Sequence, residues 1–127
     1  MNSFEVLVVD IFEKKANEMK FVEMALQNPN GIHDFFNNFA LNLAQYYFEN
    51  KITYEVCDFV ATWLSGVMIN EKFLSIEGYE VPSPAYDVFL AFDAGEYTHS
   101  NDDENIDPVN KYTNRQIEAI LNANQRT

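Results

Sequence analysis

The residues of this chain that could take part in chemistry are two histidines, one cysteine, a few serines and a long run of acids. His99 lies close to Glu96, Asp102 and Asp103. That grouping reads as a weak cation or small-ligand site, because no i, i+4 helical spacing fixes the donors on one face. Cys57 or a serine (Ser65 or Ser100) with His33 or His99 would supply a nucleophile and a base. None of these stands in a nucleophile elbow or beside an orienting carboxylate in a recognised pattern. Cys57 reads instead as a small buried hydrophobe in a helix, and His33 as a residue helping to begin a helix. Asp93 and Glu96 are spaced for acid–base work, but a glycosidase-type pair needs a large cleft, which a bundle of this size rarely offers. The segments from Asp93 to Glu104 and from Asp102 onward fail as calcium loops. Neither puts oxygen ligands at alternate positions with glycine sixth. No glycine-rich phosphate loop and no zinc spacing is present. The expectation is a protein that is not an enzyme and carries no cofactor and no metal.

The acids themselves are the stronger signal. Twenty Asp and Glu stand against eight Lys and Arg, a formal net charge of −12 over 127 residues. Between Lys72 and Lys111 there is no Lys or Arg, while Glu77, Glu80, Asp87, Asp93, Glu96, Asp102, Asp103, Glu104 and Asp107 all fall there. The remainder of the chain is close to balanced, so the charge is segregated. Such a surface repels phosphate backbones and anionic lipid and favours fast encounter with a cationic partner. The plainer explanation is a solvated loop kept acidic for solubility. Tyr79, Tyr86, Phe89, Phe92, Tyr97 and Tyr112 lie in or beside the window. Phe89 and Phe92 read as core, and aromatics flanked by polar residues can anchor an interface. The candidate partner-binding residues are Asp93, Glu96, Tyr97, Asp102, Asp103, Glu104 and Asp107.

These side chains need a scaffold, and apolar periodicity predicts a mostly α, compact single-domain bundle of four or five helices over residues 1–127. Phe4, Leu7, Val8, Ile11 and Phe12, continued by Met19, Val22, Ala25 and Leu26, mark one helix, with a break near Asn17 as the alternative. A strand over Glu5–Val9 competes at its start. The turn Asn28-Pro29-Asn30-Gly31 ends the helix. Asp34 is the expected N-cap of a second helix that runs to about Asn50 and buries Phe36, Phe39, Leu43 and Tyr46 or Tyr47. Thr53 caps a third, with Val56, Phe59, Val60, Trp63, Leu64, Val67 and Met68 on its apolar face. After an irregular stretch with a turn at Gly78, Ser83-Pro84 reads as N-cap and first helical position. A fourth helix then covers Ala85 to Ala94 and is closed by Gly95. The alternation of Val88, Leu90 and Phe92 fits a strand as well. An acidic polar loop follows over about 95–112. Thr113 with Gln116 reads as a capping box opening a last helix that buries Ile117, Ile120 and Leu121.

No run approaches the roughly 20 apolar residues that span a bilayer, no basic-then-apolar leader is visible, and a lone cysteine suits a reducing compartment. The expected location is cytoplasmic. The segment from Pro84 to Tyr97 (PAYDVFLAFDAGEY), with Asp107-Pro108 and Tyr112-Thr113, resembles small bacterial immunity proteins of contact-dependent inhibition and other polymorphic toxin systems. The resemblance covers about the C-terminal third. It implies a cytoplasmic inhibitor that binds a cognate toxin domain, often a nuclease with a basic surface. The alternative from the residues alone is a metal- or small-ligand-binding helical domain using His99 and neighbouring acids.

Overall fold

Helix stop and start signals divide the chain more finely than its apolar stripes do. The computed structural model describes residues 1–76 and 78–124. Glu77, part of the acidic window, lies outside the described residues. Among the described residues there are seven α-helices and no strand: α1 Ser3–Phe12, α2 Glu18–Leu26, α3 Ile32–Phe48, α4 Tyr54–Met68, α5 Glu71–Ile76, α6 Ala85–Asp93 and α7 Asn114–Ala123. A π-helical turn, Val109–Thr113, leads into α7. The mostly α expectation holds, but four or five helices becomes seven.

Two things account for the difference. The first stripe is cut into α1 and α2, because Asn17 accepts from the Lys20 amide and starts a new helix. The stretch before Gly78 also forms the short α5, which buries Phe73. Asn2 and Glu5 form a reciprocal capping box at the start of α1, which settles helix over strand there. The same contest at Val88, Leu90 and Phe92 is decided by geometry. A strand would put all three on one face, whereas a helix puts Val88 and Phe92 together and Leu90 away from them. Val88 and Phe92 are buried and Leu90 is 45% exposed.

Several terminus assignments change. Helix α3 begins at Ile32 after Gly31, whose φ of 98° needs a glycine, so Asp34 sits in the first turn and is not the cap. Asp34 instead accepts from Asn28 and Asn38. The Ser83-Pro84 bond is cis and Pro84 occupies the N-cap position of α6. The donor left at that end, the Ala85 amide, is taken by Asn37 of α3 at 2.9 Å. Thr53 caps α4 as expected.

The core lies between α3, α4, α6 and α7. Phe21 packs edge-on to Phe35, Phe39 and Trp63, and Phe36 meets Phe73. Burying large rings in offset and edge-on arrangements adds about 0.5–1.5 kcal/mol per pair beyond area. Helix α4 packs against α6, and Cys57, Val60, Ala61 and Leu64 share one continuous core with Ala85, Val88 and Phe92. No helix among the described residues is long and apolar enough to cross a membrane.

Candidate interaction surface at the end of helix α6

A helix leaves its last four carbonyls without intrahelical donors, and its C-terminus carries partial negative charge. At α6 that end is where the acids gather, and the fold supplies the missing donors. The Thr113 hydroxyl donates to Ala91 O at 2.7 Å and the Tyr54 hydroxyl to Phe92 O at 2.6 Å. The Glu96 amide donates to Asp93 O at 3.1 Å. His99 Nε2 lies 2.9 Å from Ala94 O, and because a carbonyl only accepts, Nε2 carries the proton. Donors from α4, from the loop and from the turn before α7 thus converge on one helix end. They offset the unfavourable placement of Asp93 in its last turn.

This convergence explains Gly95. Its backbone is not left-handed, so the expected helix-closing role is replaced by a demand for space. A Cβ there would run into Thr113 Oγ1 and lie 2.8 Å from the Tyr54 hydroxyl and 3.0 Å from Val109. Thr113, expected as a cap, is fully buried within the π-helical turn and makes no cap bond. Its hydroxyl faces α6, which leaves Gln116 without the capping-box role.

The loop from 96 to 108 is tied down from within. His99 is stacked between two tyrosines, 4.5 Å from the Tyr97 ring and 3.8 Å from the Tyr112 ring between centroids. Asp102 takes the Lys111 ammonium on one oxygen and the Tyr112 hydroxyl on the other. The Lys111 and Tyr112 hydrogen bonds hold its carboxyl below the usual carboxylate range. Lys111 also approaches the Tyr112 ring. Asp103 accepts from the Asn105 amide and Asp107 from the Val109 amide, so each turns part of its carboxylate to the loop backbone.

The expected partner-binding residues separate into three groups. Glu96, Tyr97, Asp103, Glu104 and Asp107 are exposed and form the outer rim, and Asp93 is half-buried at its root. The Asp102 side chain is 7% exposed and already holds Lys111 and Tyr112. His99, the centre of the ligand-binding alternative, has both ring faces covered by tyrosines. Among the described residues no group of three or more His, Cys, Asp or Glu is arranged to hold a metal ion.

Sequence reasoning missed Asp58. It lies on α4 with its Oδ1 buried and without a hydrogen-bond partner. Burial pushes its carboxyl up to about 7, helped by the neighbouring Glu96 carboxyl and by the negative charge of Asp93. The available signal was an acid four residues after Tyr54 and next to Cys57, inside the stripe of α4 that meets α6. The Tyr54 hydroxyl is raised by burial and by Asp58. Cys57, buried as expected, is pushed up to about 12 by burial and then by Asp58. Comparison with family models, with curated proteins and with solved structures found no match to this chain.

Proposed function

We propose that this protein is a binding module for a basic macromolecule, and that it acts as a cytoplasmic immunity protein neutralising a cognate toxin domain. The observation that carries the reading is that Glu96, Asp103, Glu104 and Asp107 are exposed on a loop secured by buried and stacked side chains, in a stretch with no Lys or Arg from residue 73 to residue 110. A solubility tail needs no such anchoring, whereas an interface gains from acids held in place before the partner arrives. A negative surface also raises the encounter rate with a cationic one and discriminates against wrong partners. Nuclease toxins carry basic grooves for nucleic acid, and an acidic protein seated there would exclude the substrate.

The test is co-expression with the C-terminal domain of the polypeptide encoded immediately upstream. Protection of growth and a stable complex whose association rate falls as salt rises support the reading. Charge reversal at Glu96, Asp103 and Glu104 should slow association. A complex indifferent both to salt and to those reversals would overturn the assignment of the surface.

A further inference from the structure

The end of α4 far from the acidic rim borders a hollow. Tyr54 begins this helix beneath the rim, where its hydroxyl reaches the end of α6. At 1.5 Å per residue, Val67 lies about 20 Å further along. There α4 meets α2 and α5 around a space of about 630 Å³, a size suited to a small organic ligand. All three helices give it apolar lining. Val67 and Phe73 are buried, Trp63 is half-buried and packed edge-on to Phe21, and Met19 and Ile76 stand exposed at the edge. The polar groups around it are mostly donors, for a local reason. Asn17 accepts from the Lys20 amide at the start of α2, and Asn70 accepts from the Lys72 amide at the start of α5. Each carboxamide engages its oxygen with its own helix, which leaves the NH2 as the group with no part in the cap. The Trp63 indole and the Lys72 ammonium are donors with no acceptor. Glu18 is the one acid among the described residues that line the hollow.

We propose that this hollow binds a small amphipathic carboxylate, its apolar body against Trp63, Val67 and Phe73 and its anionic head taken by Lys72 with the Asn17 and Asn70 carboxamides. A purely apolar ligand would cover these donors without pairing them, and an amine would add donors where acceptors are scarce. A carboxylate accepts from several donors at once, and its bonds to an ammonium are charge-assisted. This selection runs against the charge of the whole protein. At −12, the long-range field favours cations over the surface in general, so a preference for an anion here reports the local donors. Glu18 opposes the anion and gives the test a second handle. The site lies away from the acidic rim and does not depend on the toxin-binding reading.

Octanoate, 1-octanol and octylammonium share one chain and differ in head group. Each is titrated into the full chain at neutral pH and followed through the fluorescence of Trp63, the sole tryptophan, with NMR to place the shifts. Octanoate should bind about two- to fivefold more tightly than octanol, the range of an exposed charge pair, with shifts gathered at residues 16–22, 63–70 and 72–76. Lys72→Gln should remove that advantage and leave octanol unchanged, while Glu18→Gln should tighten octanoate. Both positions are exposed, so neither change disturbs the core. Octanol or octylammonium bound at these residues as tightly as octanoate, or an octanoate advantage that survives Lys72→Gln, would overturn the carboxylate assignment. Octanoate shifts gathered elsewhere on the fold, or binding by none of the three, would remove the site altogether. Each of these failures leaves the acidic rim standing, because the rim is tested by salt and by charge reversal at Glu96, Asp103 and Glu104.

Discussion

The Thr113 hydroxyl donates to the Ala91 carbonyl at 2.7 Å, joining residues 22 apart in the chain through a fully buried contact. It couples the π-helical turn before α7 to the end of the helix that carries the acids. Thr113→Val keeps the shape of the side chain and removes the donor, leaving a buried carbonyl unpaired. The expected loss is about 1–3 kcal/mol in chemical denaturation, and Thr113→Ser should recover most of it. A midpoint unchanged in Thr113→Val would show that the bond contributes nothing net.

Gly95 tests the same junction by volume. Gly95→Ala places a methyl against Thr113, Tyr54 and Val109, and overpacking of this kind costs about 1–3 kcal/mol. The nearest atoms include two hydroxyl oxygens at the tips of side chains. The penalty should therefore be smaller in a Tyr54→Phe background, where one of them is gone. A double-mutant cycle reads the difference directly, and strict additivity would mean that the Thr113 and Val109 side chains set the conflict without Tyr54.

Asp58 gives the junction a pH dependence. Its folded carboxyl titrates at about 7, against about 3.9 in an unfolded chain. Between those values the folded state holds a proton that the unfolded state has released. Stability therefore falls as pH rises from about 4 through 7 and stays reduced above it. Asp58→Asn keeps the neutral shape and should flatten that slope, raising the denaturation midpoint relative to the parent at pH 8 and much less at pH 5. A parent whose stability is level over this range would contradict the placement of the carboxyl.

How far the sequence carries this picture depends on whether a feature is local. The cap at Thr53, the apolar face of α4 and the position of α6 follow from residues within a few places of one another, and they were legible. Asp34 and Thr113 look like caps by the same local rules, yet Gly31 and the packing against α6 override them. The acidic window was visible as composition. The split between Asp102, held inside the loop, and its neighbour Asp103, facing out, was not, because Lys111 and Tyr112 are brought to Asp102 by the turn before α7. Asp58 was hidden for the same reason. Its environment is made by α6, and its trace within α4 is no more than an acid set beside Cys57 in the apolar stripe.

That split leads to the last prediction. Asp102→Ala removes the acceptor of both Lys111 and Tyr112 and frees one end of the His99 stack, whereas Asp103→Ala removes a single backbone contact to Asn105. Hydrogen exchange should therefore speed up across residues 97–108 in Asp102→Ala, with α4 amides little changed, and far less in Asp103→Ala. The pH behaviour has the opposite sense to that of Asp58. Hydrogen bonds to Lys111 and Tyr112 lower the Asp102 carboxyl, so its contribution is present above about 3.9 and is lost as pH falls through the lower folded value. Loop protection in the parent should hold at pH 5 and decline below 4, with no such decline left to observe in Asp102→Ala. If both variants loosen the loop equally, the stack is held by something other than Asp102. If neither does, the order of the acidic rim is independent of the contacts beneath it.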